Sequence, residues 1–372
     1  MIGPMNSKEA HLGGCIVAFE EMVKSLNEFN DLAVEAVSTS RPSAGLLRRL
    51  YLTINIYRNI QRAIINSDVV ALFTTNTSLR KTVLIVSRLC RSHSKPLIIR
   101  KFGGPSHRCM PPEFKVVNKK VLRKVVAMLS RADVYIPETY EAYLAAREDQ
   151  IPNTSWMPNY RTMSKDIAQV EPNRQCRRYV YVGDVKPSKG LNELIKACES
   201  LPKDITVDVY GFLLDGMTED DFMNGPQTIC YRGSLESENV MQTLKKYDAF
   251  VFPTYFSGEG HSGVIVEAFA AGLPVITTAW KNIPEIVDDS SGILVAPRNY
   301  EELHRAILRL YDDRQLYQTL CEGVLRHSQL FSTLIWADVF ADFCRTLASG
   351  NIITESQLDT YHRIHNQLKW QD

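Results

Sequence analysis

Residues 251–274 read Val251-Phe-Pro-Thr-Tyr-Phe-Ser-Gly-Glu-Gly-His-Ser-Gly-Val-Ile-Val-Glu-Ala-Phe-Ala-Ala-Gly-Leu-Pro274. An apolar run ends at Pro253, three glycines follow within ten residues, and a helical pattern opens near Ser262. Strand, glycine loop and helix in this order form the repeating unit of a parallel α/β sheet. Gly258, Gly260 and Gly263 let main-chain N–H groups approach an anion closely, and the helix start adds unpaired donors and the positive end of its dipole. This is chemistry for a phosphate or diphosphate. Two carboxylates flank the loop. Glu259 precedes the helix, and Glu267 sits in its second turn, roughly 6–8 Å further along the axis. A carboxylate accepts two hydrogen bonds and so suits a vicinal diol. One glutamate could hold a ribose while the other meets a group beyond the phosphates.

A second stretch, Tyr179-Val-Tyr-Val-Gly183-Asp-Val-Lys-Pro-Ser-Lys189-Gly190-Leu-Asn-Glu-Leu-Ile195, is again strand, loop and helix start, with Lys189 at the mouth of the helix. In a parallel sheet both loops leave carboxyl ends of strands and can face one crevice. The chain contains no Asp-x-Asp, so the charge of a diphosphate is expected to be met by Lys189 and helix ends, with no metal and no other cofactor. The loop Gly258–Gly263 is literally Gly-x-Gly-x-x-Gly, but its context argues against NAD. That fingerprint normally opens its domain and is followed by an acid for the adenosine ribose, whereas here the next strand ends Thr278-Ala-Trp280.

Strand-like runs at 69–73, 96–100, 133–137, 178–182, 206–210, 228–232, 249–253, 274–278 and 292–295 alternate with helical patterns. The expected fold class is α/β, with two doubly wound parallel-sheet domains of the Rossmann type facing a cleft. The polar stretch 159–177 separates the two series. The expected domains are 1–165, 166–350, and a helix in 351–372 that crosses back to the first domain. Charge divides in the same way. Of 43 Lys/Arg and 42 Asp/Glu, 24 and 13 fall in residues 1–165, and 19 and 29 in the remainder. A hydrophobic content of 45% excludes wholesale disorder. No apolar run approaches a membrane span, and the first residues lack the pattern of a signal peptide. The eight cysteines contain no Cys-x-x-Cys and suit a reducing cytosol.

The lysine loop, Val209-Tyr-Gly211, Tyr231-Arg-Gly233-Ser234, the Glu-x7-Glu block and Ala271-Gly-Leu-Pro-Val275 resemble the second domain of the retaining, GT-B-type family 4 glycosyltransferases over roughly residues 178–312. Leu12-Gly-Gly14, Arg100-Lys-Phe-Gly-Gly104 and Trp156-Met-Pro-Asn159 resemble the first domain more loosely. In this version they look like the enzymes of bacterial surface-polysaccharide assembly. The resemblance implies a hexosyltransferase that uses a UDP- or GDP-sugar, retains anomeric configuration and needs no metal. It implies that Glu259 meets the donor sugar near the reacting carbon, that Glu267 binds the ribose, and that Lys189 stabilises the diphosphate with the N–H groups of Gly260–Gly263. The remaining nucleotide-sugar residues would be His261, Ser262, Gly183, Lys186, Gly211 and Gly233, with Gly13 and Gly14 from the first domain. Two departures stand out. Asp184 occupies a position where many relatives carry Arg, with Lys186 two residues on. The Phe102-Gly-Gly region lacks a histidine that many relatives carry, and His107 follows. Arg100, Lys101 and His107 are therefore the candidates on the acceptor side.

Between Arg80 and Lys124 there are 13 Lys/Arg and a single acid, Glu113. The spacing predicts that Lys115, Lys119, Lys120 and Arg123 share one helix face, and that Arg48 and Arg49 lie on another amphipathic helix. Basic amphipathic helices suit an anionic membrane surface. A peripheral position on the cytosolic face, with a glycan or lipid-diphosphate-linked acceptor, follows as the expectation. Nucleic acid is not expected, because no aromatic platform is interleaved with the charges. A binding protein that has lost transfer, or a sugar-nucleotide epimerase on the same fold, would share the same motifs.

Overall fold

The computed structural model describes residues 1–5, 14–39, 46–104, 106–110, 115–163 and 174–369. The chain divides into two compact units, Met1–Tyr160 with Leu330–Asp372, and Arg161–Gln329. In the first unit, strands β1 (Ile2–Gly3), β2 (Val37–Ser38), β3 (Val70–Thr75), β4 (Leu97–Phe102) and β7 (Val134–Pro137) form a parallel sheet ordered β2-β1-β3-β4-β7, and β5 (Cys109–Met110) and β6 (Lys115–Val116) form a small hairpin. Its helices are α1 (Gly14–Leu26), α2 (Leu46–Asn66), α3 (Asn76–Ser92), α4 (Lys119–Leu129), α5 (Tyr140–Glu148), α12 (Thr333–Ala348), α13 (Glu355–Leu358) and α14 (Thr360–Lys369). Strand β4 explains why this sheet is covered twice. Ile98 and Phe102 point into one core with Phe19, Phe73 and Phe340, while Leu97 and Ile99 point into the other with Ile64, Val83 and Leu129. A strand buried on both faces needs apolar side chains at successive positions.

The second unit holds β8 (Arg178–Val182), β9 (Thr206–Tyr210), β10 (Ile229–Tyr231), β11 (Ala249–Phe252), β12 (Val275–Thr278) and β13 (Gly292–Val295), all parallel in the order β10-β9-β8-β11-β12-β13. Helices α6 (Leu191–Ala197), α7 (Asp220–Met223), α8 (Ser237–Leu244), α9 (Gly263–Ala270), α10 (Tyr300–Asp312) and α11 (Arg314–His327) connect them. The chain starts at β8, winds outward through β9 and β10, then returns to β11 on the other side of β8. The loops after β8 and β11 thus diverge, and a ligand crevice opens between such loops.

Several boundaries differ from those expected. Residues 330–350 pack with the first unit, because the apolar face of α12 belongs to that core. Trp336, Ala337, Phe340, Phe343 and Leu347 are buried among Phe19, Met22, Phe73 and Trp156. The helix expected in 351–372 breaks at Asp359, after Thr354 and Gln357 close a capping box on the short α13. Lys115 lies in β6 and not on a helix face shared with Lys119, Lys120 and Arg123. Asn118 accepts from the Val121 N–H and so starts α4 one residue later. Strand β2 carries no apolar run and was not expected.

The C-terminal segment is held by an aromatic cluster. Trp336 and Trp156 meet edge to face at 5.5 Å and Trp156 and Tyr361 at 5.2 Å, while the Tyr140 and Tyr361 rings are tilted at 34° with centres 4.5 Å apart. Trp336 Nε1 donates to the Leu330 carbonyl at 2.7 Å, and Ser155 Oγ donates to the Leu358 carbonyl at 3.0 Å. Trp336→Ala should destabilise the first unit by about 3–5 kcal/mol. Urea unfolding should show this as a lowered midpoint for that unit alone, with the transition of residues 161–329 unmoved.

Candidate active site

The crevice of the second unit is closed at its base by glycines. Gly190 has φ +79°, and a Cβ there would lie 2.1 Å from the Pro253 carbonyl oxygen at the end of β11. Gly211, φ +147°, would place a Cβ 1.7 Å from the Gly183 carbonyl oxygen. Gly183 N donates to Tyr210 O and Gly211 N to Gly233 O, so Gly183, Gly211 and Gly233 lie along the carboxyl ends of β8, β9 and β10. The Tyr255 N–H donates to the Ser188 carbonyl at 3.0 Å and ties the loop after β11 to the lysine loop.

This packing brings Lys189 and Glu259 together. Lys189 Nζ lies 2.6 Å from Glu259 Oε2, with both side chains about nine-tenths buried. Thr254 Oγ1 donates to the same oxygen at 2.8 Å. The Lys189 ammonium also stands 4.9 Å from the Phe252 ring centre and 5.1 Å from that of Phe256. Lys186 Nζ lies 4.4 Å over Phe256 and 3.2 Å from Asp184. Two ammonium groups thus stand close to one ring, whose quadrupole favours cations. Asp184 serves here as the partner of Lys186.

Helix α9 starts at Gly263 with Ser262 as its N-cap residue, and the Ser262 side chain makes no cap hydrogen bond. The first-turn N–H groups of such a helix are available to a ligand. His261 is fully buried, and its Nε2 lies 2.7 Å from Glu285 Oε2. The other Glu285 oxygen accepts from Asn282 Nδ2 at 2.9 Å. His261 therefore anchors the glycine loop to the segment after β12. Trp280 Nε1 adds a bond to the Phe256 carbonyl at 2.9 Å.

Glu267 points from the second turn of α9 and is paired with Arg161. Arg161 Nε donates to Glu267 Oε1 at 2.8 Å, and the arginine side chain is only 2% exposed. Arg161, Glu285 and Asn282 were not expected. Arg161 lies in the polar stretch that looked like a linker, and nothing in its local pattern marks it as buried. Glu285 sits in an apolar segment without a visible motif.

In the first unit the residues assigned to an acceptor are enclosed. Arg100 is fully buried and donates to the carbonyls of Pro158 at 2.8 Å and Ile136 at 3.4 Å. Lys101 is fully buried and donates to the Gly103 carbonyl at 2.8 Å, with Glu138 accepting from the Gly103 N–H. Burial pushes the Lys101 ammonium down to about 8, against the favourable pull of Glu138 and Glu141. His107 is buried with Nε2 2.8 Å from Asp149, and burial lowers its pKa despite that carboxylate. Arg108 also grips Asp149, at 2.8 Å. Gly14 opens α1, and Gly13 lies outside the described residues. Lys119, Lys120 and Arg123 are exposed on α4, and Lys115 is exposed on β6. The side chains of Arg48 and Arg49 lie outside the description. Among the described residues, no helix is long and apolar enough to cross a membrane, and no group of three or more His, Cys, Asp or Glu could hold a metal.

Two parallel doubly wound sheets, with a glycine loop and paired carboxylates at the switch point of the second, define a GT-B glycosyltransferase fold. HepE of Anabaena, solved in complex with UDP, superposes with a TM-score of 0.65 at 18% identity, over 93% of this chain and 99% of that one. Residues 176–313, within the second unit, match the family model described as glycosyl transferases group 1. The O-antigen chain mannosyltransferase B of Escherichia coli is 27% identical over 162 residues, 41% of this chain and 42% of that protein. The putative teichuronic acid biosynthesis glycosyltransferase of Bacillus subtilis is 30% identical over 145 residues, 38% and 34% of the respective chains. The matched stretch thus spans about two-fifths or less of these relatives' length, and it resembles enzymes of surface-polysaccharide assembly.

The buried lysine gives a pH test. Lys101 binds its proton less tightly folded than unfolded, so the penalty is complete below about pH 8 and is relieved as pH rises toward the ordinary lysine value of 10.5. Relative to Lys101→Met, the wild-type chain should gain unfolding free energy across that window. Denaturant titrations at pH 7.5, 9 and 10 check this, and a constant difference between the two proteins would exclude it.

Proposed function

We propose that this chain transfers a hexose, with retention, from a nucleotide-diphospho-sugar to a glycan or lipid-linked glycan. The observation that carries this reading is the buried Lys189–Glu259 pair beside the uncapped start of α9, within a domain that matches the group 1 family. As the bond from the anomeric carbon to the diphosphate breaks, negative charge grows on the leaving oxygen. Lys189 and the first N–H groups of α9 are fixed in advance to meet it, and such preorganised charge is worth most in a site shielded from water. Without donor, the Glu259 carboxylate matches the ammonium. With donor, the diphosphate takes up the ammonium, and Glu259 receives the sugar hydroxyls near the reacting carbon. Same-face attack by the acceptor hydroxyl, which passes its proton to the departing diphosphate, gives retention. Glu267 receives the ribose.

A uridine donor is supported by HepE, which was solved with UDP and with UDP-glucose, and a guanosine donor remains a second arm of the test. The absence of Asp-x-Asp and the presence of Lys186 and Lys189 support transfer without a metal. The exposed lysines and arginine of α4 support an anionic membrane surface as the place of action.

Lys189→Ala and Glu259→Gln should each lower kcat by about 10²–10³-fold, as loss of one preorganised charge contact does. Nucleotide release from radiolabelled UDP- and GDP-sugars, read with an acceptor lipid fraction, measures it. Near-complete turnover in both variants would sink the assignment. UDP or GDP should also raise the midpoint of thermal unfolding in proportion to the logarithm of its concentration.

Flotation with vesicles containing phosphatidylglycerol should carry the protein at low salt and not at 0.5 M salt. Replacing Lys119, Lys120 and Arg123 by Glu should abolish the effect. Equal partitioning onto neutral vesicles would remove the membrane reading.

A further inference from the structure

Arg161 is the first residue of the second unit, and its guanidinium is almost completely enclosed. A buried ion pair is costly, because both charges leave water, and an apolar pair of similar volume often serves stability as well. The pair is therefore weak evidence for stability and a better guide to geometry. Its geometry is specific. Arg161 Nε is a single in-plane donor, and it engages Glu267 Oε1. Among the described residues Oε2 has no protein partner, and the Glu267 side chain is 16% exposed, so one oxygen is held and the other faces outward. The neighbouring α9 residues Ile265, Val266, Ala268 and Phe269 are buried and apolar. These neighbours offer the carboxylate no hydrogen bond that would fix its rotamer.

From these observations we infer that Arg161 is a positioning residue: it holds Glu267 oriented so that Oε2 selects a nucleotide bearing ribose hydroxyls. The inference rests on the assignment of Glu267 to the ribose. Arginine and lysine are not equivalent here, because a lysine keeps the charge and loses the planar Nε donor.

The test is calorimetric titration of the full chain with UDP and with 2′,3′-dideoxy-UDP, repeated with the guanosine pair if GDP binds more tightly. Wild type should prefer the ribonucleotide by about tenfold or more, the range of a charge-assisted hydrogen bond. Glu267→Gln should bring the ratio close to one. Arg161→Met should do the same, and the double variant should lose nothing further, as expected for two residues that act as one unit. Retention of the ratio in Glu267→Gln would overturn the ribose assignment and this inference with it. Loss in Glu267→Gln with retention in Arg161→Met would overturn the inference alone. Equal weakening of both nucleotides by Arg161→Met would show a purely structural role and also overturn it. If Arg161→Met does not fold, Arg161→Lys carries the test. Its ratio should fall between wild type and one, and an unchanged ratio would refute the need for the guanidinium.

Discussion

The second unit is organised around a contact that leaves no room for a side chain. Gly190 lies against the Pro253 carbonyl, and a single Cβ would collide with it at 2.1 Å. Because that approach is possible, the loop after β8 lies on the end of β11. Lys189 then reaches Glu259, Phe252 and Phe256, and Tyr255 bonds to Ser188. A larger residue would push the two loops apart at the point where the sheet reverses its winding. The ammonium, its carboxylate and the start of α9 would then no longer converge. The strand order supplies the crevice, and this glycine sets how narrow it is.

Electrostatics in this unit act locally. The half of the sequence with excess acid contains the site proposed to take an anionic donor, so net charge cannot be what attracts it. Lys186 and Lys189 are instead drawn over the ring of Phe256 and matched with Asp184 and Glu259. A matched buried cation costs less to keep than a free one, and an incoming anion has to compete with its carboxylate. Pairing of this kind holds the charges in position at the cost of part of their attraction for the ligand. The Glu267–Arg161 pair shows the same arrangement with the signs reversed.

Much of this was legible in the sequence, because the strands of a doubly covered parallel sheet are apolar runs bounded by turn residues. Arg178–Val182, Thr206–Tyr210 and Gly292–Val295 fall where those runs begin and end. The glycine loop and its two glutamates were legible for a similar reason: their chemistry is local and closely spaced. Other features depend on contacts far apart in the chain and leave no local trace. Arg161 meets Glu267 across 106 positions, and His261 meets Glu285 across 24. Arg100 and Lys101 looked like available charges, because a strand sequence gives no sign of which carbonyls will receive them. The move of α12 into the first unit was hidden as well. An amphipathic helix states that it has an apolar face and not which core will cover it.

That last feature bears on the order in which the chain can fold during synthesis. The first unit is discontinuous. Its sheet is made from the first 160 residues, and Trp336, Phe340 and Phe343 complete one side of its core. The second unit is continuous and lies wholly between these parts. As the chain emerges from the ribosome, residues 161–329 can close their sheet while the apolar side of the first sheet still lacks α12. The unit made first is thus finished last, against the usual rule that folding follows synthesis from the N-terminus. For that interval the surface around Phe19, Phe73 and Trp156 is uncovered, and it is the part of the nascent chain most in need of protection from aggregation.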